Sequence, residues 1–249
     1  MRTIYMLGNW KMNQSLSDIN SFSEELAVAW TNMPKIAQCG IAPQAMHLSL
    51  LREKLPTDLM VGAQTCSEHL SGAFTGELSP EALSELNMSF TLVGHSERRH
   101  LYGETDGQIN AKIKTALTKN LRVIFCIGEQ LEEREAGNTE SVLKTQITNG
   151  LKDIKPSTHI VIAYEPVWAI GTGKTATPEM AQETHAYVRS VLKEIGFDAD
   201  STSILYGGSV KPDNVEGLLK CKDIDGGLVG GASLKAKDFL ALCYAANNA

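Results

Sequence analysis

Short apolar runs recur along the chain at residues 4–7, 36–41, 59–63, 90–93, 123–127, 160–163, 204–206 and 228–229. They are too short for helices and have the length of strands buried on both faces. Between them lie stretches with helical spacing. Residues 16–30 place Ile19, Phe22, Leu26 and Trp30 on one face. Residues 180–195 do the same with Thr184, Tyr187, Val188, Val191 and Leu192, and stop at Gly196. Residues 105–118 and 141–151 show the same period. The runs start at intervals of roughly 20 to 45 residues, the length of a strand-plus-helix unit. Eight such units predict a (β/α)8 barrel, and residues 1–249 read as a single domain with no Pro-, Gly- or Ser-rich linker. The runner-up is a doubly wound open sheet. That fold calls for Gly-x-Gly-x-x-Gly after the first strand, where the chain has Gly8-Asn9-Trp10-Lys11-Met12-Asn13.

One stretch departs from the rhythm. The run at 160–163 is followed by Tyr164, Glu165 and Pro166, so a carboxylate stands where the strand must stop. Beyond it, Val167, Trp168 and Ile170 give way to Gly171 and Gly173, and Thr177-Pro178 reads as a helix start. Apolar side chains and glycines in one loop predict a lid closing over a site that includes Glu165. A P-loop is excluded, because its first glycine would fall on Trp168.

Composition narrows the classes. Hydrophobic residues make up 43 % and charged residues 21 %, as in an ordinary globular protein. The net charge of −6 argues against nucleic acid or an anionic membrane as partner. No run approaches membrane-spanning length. No secretory signal is read, and five scattered cysteines without a C-x-x-C pair indicate a reducing, cytoplasmic setting. Asn13-Gln14-Ser15 and Asn87-Met88-Ser89 match the glycosylation triplet by chance.

In a (β/α)8 barrel the chemistry sits at the C-terminal strand ends. Those positions hold Asn9 and Lys11, then His95-Ser96-Glu97, then Glu165, then Gly207-Gly208-Ser209, then Gly230-Gly231. His95 alone among six histidines directly follows an apolar run and precedes a charged turn. The helix start read at Ser96-Glu97-Arg98-Arg99, together with Lys11, disfavours a second positive charge and predicts a neutral His95. Glu97 opposes this, unless it is engaged by Lys11 and by Arg98 or Arg99. Paired glycines at helix starts after strands seven and eight leave N–H groups for an anion, above all a phosphate. No H-E-x-x-H or cysteine-based set is present, so no metal is expected. A phosphate anchor, one carboxylate, one histidine and one lysine point to proton abstraction beside a carbonyl.

Asn9-Trp10-Lys11-Met12-Asn13, the Gly-His-Ser-Glu-Arg-Arg run from Gly94, the stretch from Ala163 to Lys174, Tyr206-Gly207-Gly208-Ser209-Val210 and the Gly-Gly-Ala-Ser-Leu run after Val229 together resemble the triosephosphate isomerase family. The resemblance runs from Met1 past Leu234, in order and at family spacing. It implies interconversion of dihydroxyacetone phosphate and D-glyceraldehyde 3-phosphate, an intramolecular aldose–ketose isomerisation without cofactor or metal. It implies Glu165 as base, neutral His95 as electrophile, Lys11 as cation and Asn9 as hydrogen-bond donor. Glu97 and Ser96 become supporting residues, and Gly171, Ser209, Gly230 and Gly231 hold the phosphate. Residues 66–79 resemble the family's dimerisation loop, which implies a homodimer with Thr75 as contact. Gln14, where many members carry glycine, and Thr65, where asparagine is common, depart from the pattern near that contact. The competing readings are a catalytically silent phosphate-metabolite binding barrel and a barrel aldolase. The first requires loss of the base, and the second a Schiff-base lysine inside the barrel.

Overall fold

The structure, a computed structural model, describes residues 2–169 and 176–249. Eight parallel strands close into a barrel in sequence order. They are β1 (Tyr5–Asn9), β2 (Gln38–Ala42), β3 (Met60–Ala63), β4 (Phe90–Val93), β5 (Arg122–Ile127), β6 (Ile160–Tyr164), β7 (Ile204–Tyr206) and β8 (Gly226–Val229). The ring is shut by β1 pairing with both β2 and β8, with Tyr5 opposite Gln38 on one side and Gly226 on the other. The open-sheet alternative is thereby excluded.

Around the barrel lie α1 (Leu16–Trp30), α2 (Leu48–Lys54), α3 (Pro80–Glu85), α4 (Ser96–Tyr102), α5 (Asp106–Thr118), α6 (Leu131–Glu135), α7 (Thr139–Gly150), α8 (Pro178–Glu194), α9 (Val215–Leu219) and α10 (Ala236–Asn247). Local sequence sets their starts. Ser15 caps α1 and Thr105 caps α5, each in a reciprocal capping box, and Thr177 caps α8 with Pro178 in its first turn.

Every strand is buried on both faces, yet alternation survives inside each apolar run. Tyr5 and Leu7, Phe90 and Leu92, Ile124 and Cys126, Val161 and Ala163 belong to one small cluster built from strand residues. Met6, Val93, Val123, Phe125, Ile127, Ile160, Ile162 and Tyr164 belong to a second, larger cluster shared with the helices. Side chains alternate across a strand, so the first cluster fills the barrel and the second seals barrel to helices. The interior row of β1 ends on Asn9. The interior row of β6 continues one residue past the strand to Glu165. Strand parity thus aims both residues over the packed interior at the C-terminal rim.

Candidate active site

Glu165 is 2 % exposed, and both of its carboxylate oxygens are engaged. Oε1 lies 3.1 Å from His95 Nε2, and Oε2 accepts the Ser96 backbone N–H at 3.0 Å. The backbone around it is fixed as tightly. A Cβ on Gly207 would stand 2.8 Å from Glu165 Cγ, and one on Gly128 only 1.8 Å from its carbonyl oxygen. Glycine at both positions therefore lets the neighbouring loops close in on this strand end. Below, burial and then the Glu165 charge push the Cys126 thiol far above its ordinary range. The sulfur stays protonated beside the carboxylate.

His95 is the N-cap of α4, and the capping acceptor is its own ring. Nδ1 accepts the Glu97 backbone N–H at 3.2 Å. A ring nitrogen that accepts carries no proton, so the imidazole is neutral and its one proton sits on Nε2, facing Glu165. Ser96, named as supporting, acts through its backbone amide. The start of α4 is held from behind by Glu104, which accepts from Gly94 N and Arg98 and pairs with buried Lys112 at 2.5 Å. Burial raises the Glu104 carboxyl, but Lys112 and Arg98 outweigh it and hold it below the usual carboxylate range.

Lys11 sits just past β1 with φ +51, a left-handed conformation that costs a long side chain about 1–2 kcal/mol. Side chains over-determine it. Asn9 Oδ1 accepts the Lys11 N–H at 3.1 Å, and the Gln64 amide donates to the Lys11 carbonyl at 2.7 Å and to Ala42 at 3.0 Å. The ammonium pairs with Glu97 at 2.6 Å. The expectation that Glu97 also engages Arg98 or Arg99 is not met. Arg98 turns to Glu104, and Arg99 to Asp106 and the Gly94 carbonyl.

Asn9, Lys11, His95 and Glu165 line one cleft of about 680 Å³ with Ser209, Gly230 and Gly231. The two glycine loops differ from each other. After β8, residues Gly231–Ser233 form a single 3-10 turn, as a helix start requires. A Cβ on Gly231 would meet nothing within 4 Å, so the protein itself does not demand glycine there. After β7, α9 begins only at Val215, so Ser209 does not stand at a helix start. Here Gly208 answers to packing, since a Cβ would lie 2.2 Å from the Tyr206 hydroxyl. Among the described residues the N–H groups of Ser209 and Gly231 meet no acceptor, which leaves them for an anion. Gly171, the fourth expected phosphate contact, and the loop segment 170–175 lie outside the described residues.

Thr75 stands apart from this cleft. It lies in an exposed stretch, residues 71–77, of the loop after β3. The loop is braced internally by stacked His69 and Phe74 rings, with centroids 3.8 Å apart. Sequence reasoning passed over Gln64, Gly128 and Glu104. Only the polar residue directly after the third apolar run, Gln64, carried a positional signal. Among the described residues no cluster of His, Cys, Asp or Glu could hold a metal ion, and no helix is long and apolar enough to cross a membrane.

A closed barrel with a carboxylate, a neutral imidazole and an ammonium at its C-terminal rim, beside open backbone N–H groups, defines a (β/α)8 enzyme that moves protons on an anionic substrate. Comparison with known proteins narrows the class. The triosephosphate isomerase family model matches residues 4–246. A triosephosphate isomerase of Geobacter metallireducens is 49 % identical over 247 residues, covering 97 % of this chain and 98 % of the relative. One of Ruthia magnifica is 47 % identical, covering 98 % and 100 %. One of Trichlorobacter lovleyi is 45 % identical, covering 97 % and 98 %. The chain belongs to the triosephosphate isomerase family.

Proposed function

We propose that this chain interconverts dihydroxyacetone phosphate and D-glyceraldehyde 3-phosphate through an enediolate, a step of glycolysis and gluconeogenesis. The observation that carries the reading is the Glu165 carboxylate held between His95 Nε2 and the Ser96 amide, at the base of a cleft that also holds Lys11 and the glycine loops. Glu165 takes the proton from one substrate carbon and returns it to the next. The His95 Nε2–H turns from the carboxylate to the carbonyl oxygens. A neutral donor is matched in acidity to an enediol, so it stabilises the developing charge without fully surrendering its proton. Lys11 adds positive charge, and the Asn9 amide donates to a substrate oxygen. The N–H groups of Ser209, Gly230 and Gly231 receive the phosphate, with Gly171 assigned to the same task from the family pattern. Glu165, His95 and Lys11 share one cleft, and no observation favours the silent binding barrel. Turnover of glyceraldehyde 3-phosphate, lost in Glu165→Gln by at least about a thousandfold, tests this. Turnover near wild type in that variant sinks the base assignment.

The reading extends to residues 1–249 as one domain working in the cytoplasm as a homodimer. Support for the dimer comes from a second cleft, of about 300 Å³, which shares Asn9, Lys11 and His95 with the first and is bounded by Met12, Thr65 and Tyr102. Met12 is 86 % exposed and Tyr102 73 %, large apolar surface for a lone chain to leave in water. The braced loop bearing Thr75 and Phe74 fits such a cleft on a second copy. Sedimentation should give twice the 27.0 kDa chain mass. A fully active species at the single-chain mass would refute the dimer.

A further inference from the structure

The backbone of Glu165 abuts a glycine that is held by a side chain outside the cleft. Gln146 stands on the outer helix α7, and its amide makes both of its bonds to one residue. Oε1 accepts the Gly128 N–H at 2.8 Å, and Nε2 donates to the Gly128 carbonyl at 3.0 Å. A neighbouring strand would offer the same pair of bonds; here a side chain supplies them. Gly128 comes directly after β5, in line with the interior-facing Ile124 and Cys126. A Cβ there would lie 1.8 Å from the Glu165 carbonyl oxygen, 2.7 Å from its carbonyl carbon and 3.3 Å from its Cα. The two residues are therefore in backbone-to-backbone contact, with no deformable side chain between them. The flanking residues zip the strand ends together, Glu165 N to Ile127 O at 2.7 Å and Val167 N to Glu129 O at 3.1 Å. The amide groups of Gly128 itself turn to Gln146.

We propose that Gln146 is a positioning residue for the proton transfer, setting through Gly128 where the Glu165 carboxylate stands in the cleft. The inference rests on Glu165 being the base. Without Gln146 the Gly128 peptide loses two anchors at the point where it abuts Glu165. A shift there is carried to the carboxylate, and a misplacement of about 1 Å can cost about a hundredfold in rate. Ser209, Gly230 and Gly231 share none of these bonds, so phosphate recognition stays as it was. The signature is a loss in kcat without a change in binding.

The experiment compares wild type, Gln146→Leu and Gly128→Ala, with Glu165→Gln alongside. Gln146→Leu is expected to lose about tenfold in kcat, with KM and the inhibition constant of inorganic phosphate within about twofold of wild type. The primary deuterium isotope effect on the transferred hydrogen should rise as chemistry becomes slower relative to binding. Gly128→Ala should show the same split, more strongly. If Gln146→Leu fails to fold, Gln146→Glu removes the donor near neutral pH while keeping an acceptor, and the same split is read there. A folded Gln146 variant with wild-type kcat overturns the proposal. So does a parallel rise in KM and the phosphate constant, which marks general loosening. Should Glu165→Gln itself turn over normally, the base assignment fails; should it be dead while the Gln146 variant is normal, the positioning role alone fails.

Discussion

His95 keeps its proton on Nε2 because Nδ1 is already occupied by the Glu97 amide. Charging the ring would cost the cap of α4 as well as place a cation at a helix start. Nitrogen NMR of labelled His95 in the working enzyme should show one protonated and one bare ring nitrogen, with the proton on Nε2. A doubly protonated ring, or a proton on Nδ1, would overturn the assignment. The sequence made the helix start after His95 legible, since a charged turn follows an apolar run. It did not reveal that the ring is itself the cap, because a histidine N-cap has no sequence signature. Nor could it sort three neighbouring charges. Glu97, Arg98 and Arg99 look interchangeable in a string, and the fold deals them to Lys11, Glu104 and Asp106.

Glycine-rich loops show what a pattern of elements conveys and what it withholds. Gly207-Gly208 and Gly230-Gly231 look alike as pairs, and in the sequence both have the form of an anion cradle at a helix start. Only the loop after β8 has that form. Gly231→Ala should raise the inhibition constant of inorganic phosphate and KM about tenfold or more, by placing a methyl in the cleft, while stability moves by no more than about 0.5 kcal/mol. Gly208→Ala should instead cost about 1–3 kcal/mol of stability, since the new methyl collides with Tyr206. Urea unfolding beside phosphate inhibition separates the two, and equal behaviour would undo the distinction. Helix α7 carries the same lesson. Its apolar period was plain within a residue or two of its true ends. Gln146 nonetheless reads as an ordinary surface glutamine, because its partner stands eighteen residues earlier in the sequence, just past the end of β5.

Acid sensitivity belongs to the whole molecule, because its source is a histidine sealed between barrel and helix. His185 on α8 is fully buried, with Nδ1 against the Asp223 carbonyl and its ring edge-on to Tyr164. Burial, above all, drives it down to about 4. The unfolded chain takes up this proton near pH 6.5 and the folded chain only near 4. The stabilisation is therefore complete above about pH 6.5 and is lost as pH falls through that window. At about 1.4 kcal/mol per pH unit it amounts to about 3 kcal/mol in all. Between about pH 7.5 and 5, wild type should lose about 2 kcal/mol more than His185→Gln. Identical urea midpoint shifts in the two would refute this.

The eight-beat rhythm of apolar runs made the strand count legible, and alternation within the runs held both cores. Closure followed from the count of eight units and the missing Gly-x-Gly-x-x-Gly turn, but the register of the closing pair did not, because nothing near Tyr5 announces a partner at Gly226. That separation matters while the chain is being made. At roughly 5–20 residues per second, Tyr5 leaves the ribosome some ten to forty seconds before the strand that completes its sheet. Throughout that time β1 has at most one neighbour, and its other edge lies open to any passing strand. A nascent chain arrested before residue 226 carries seven strands and no ring, and should associate or recruit holding factors where the finished one does not.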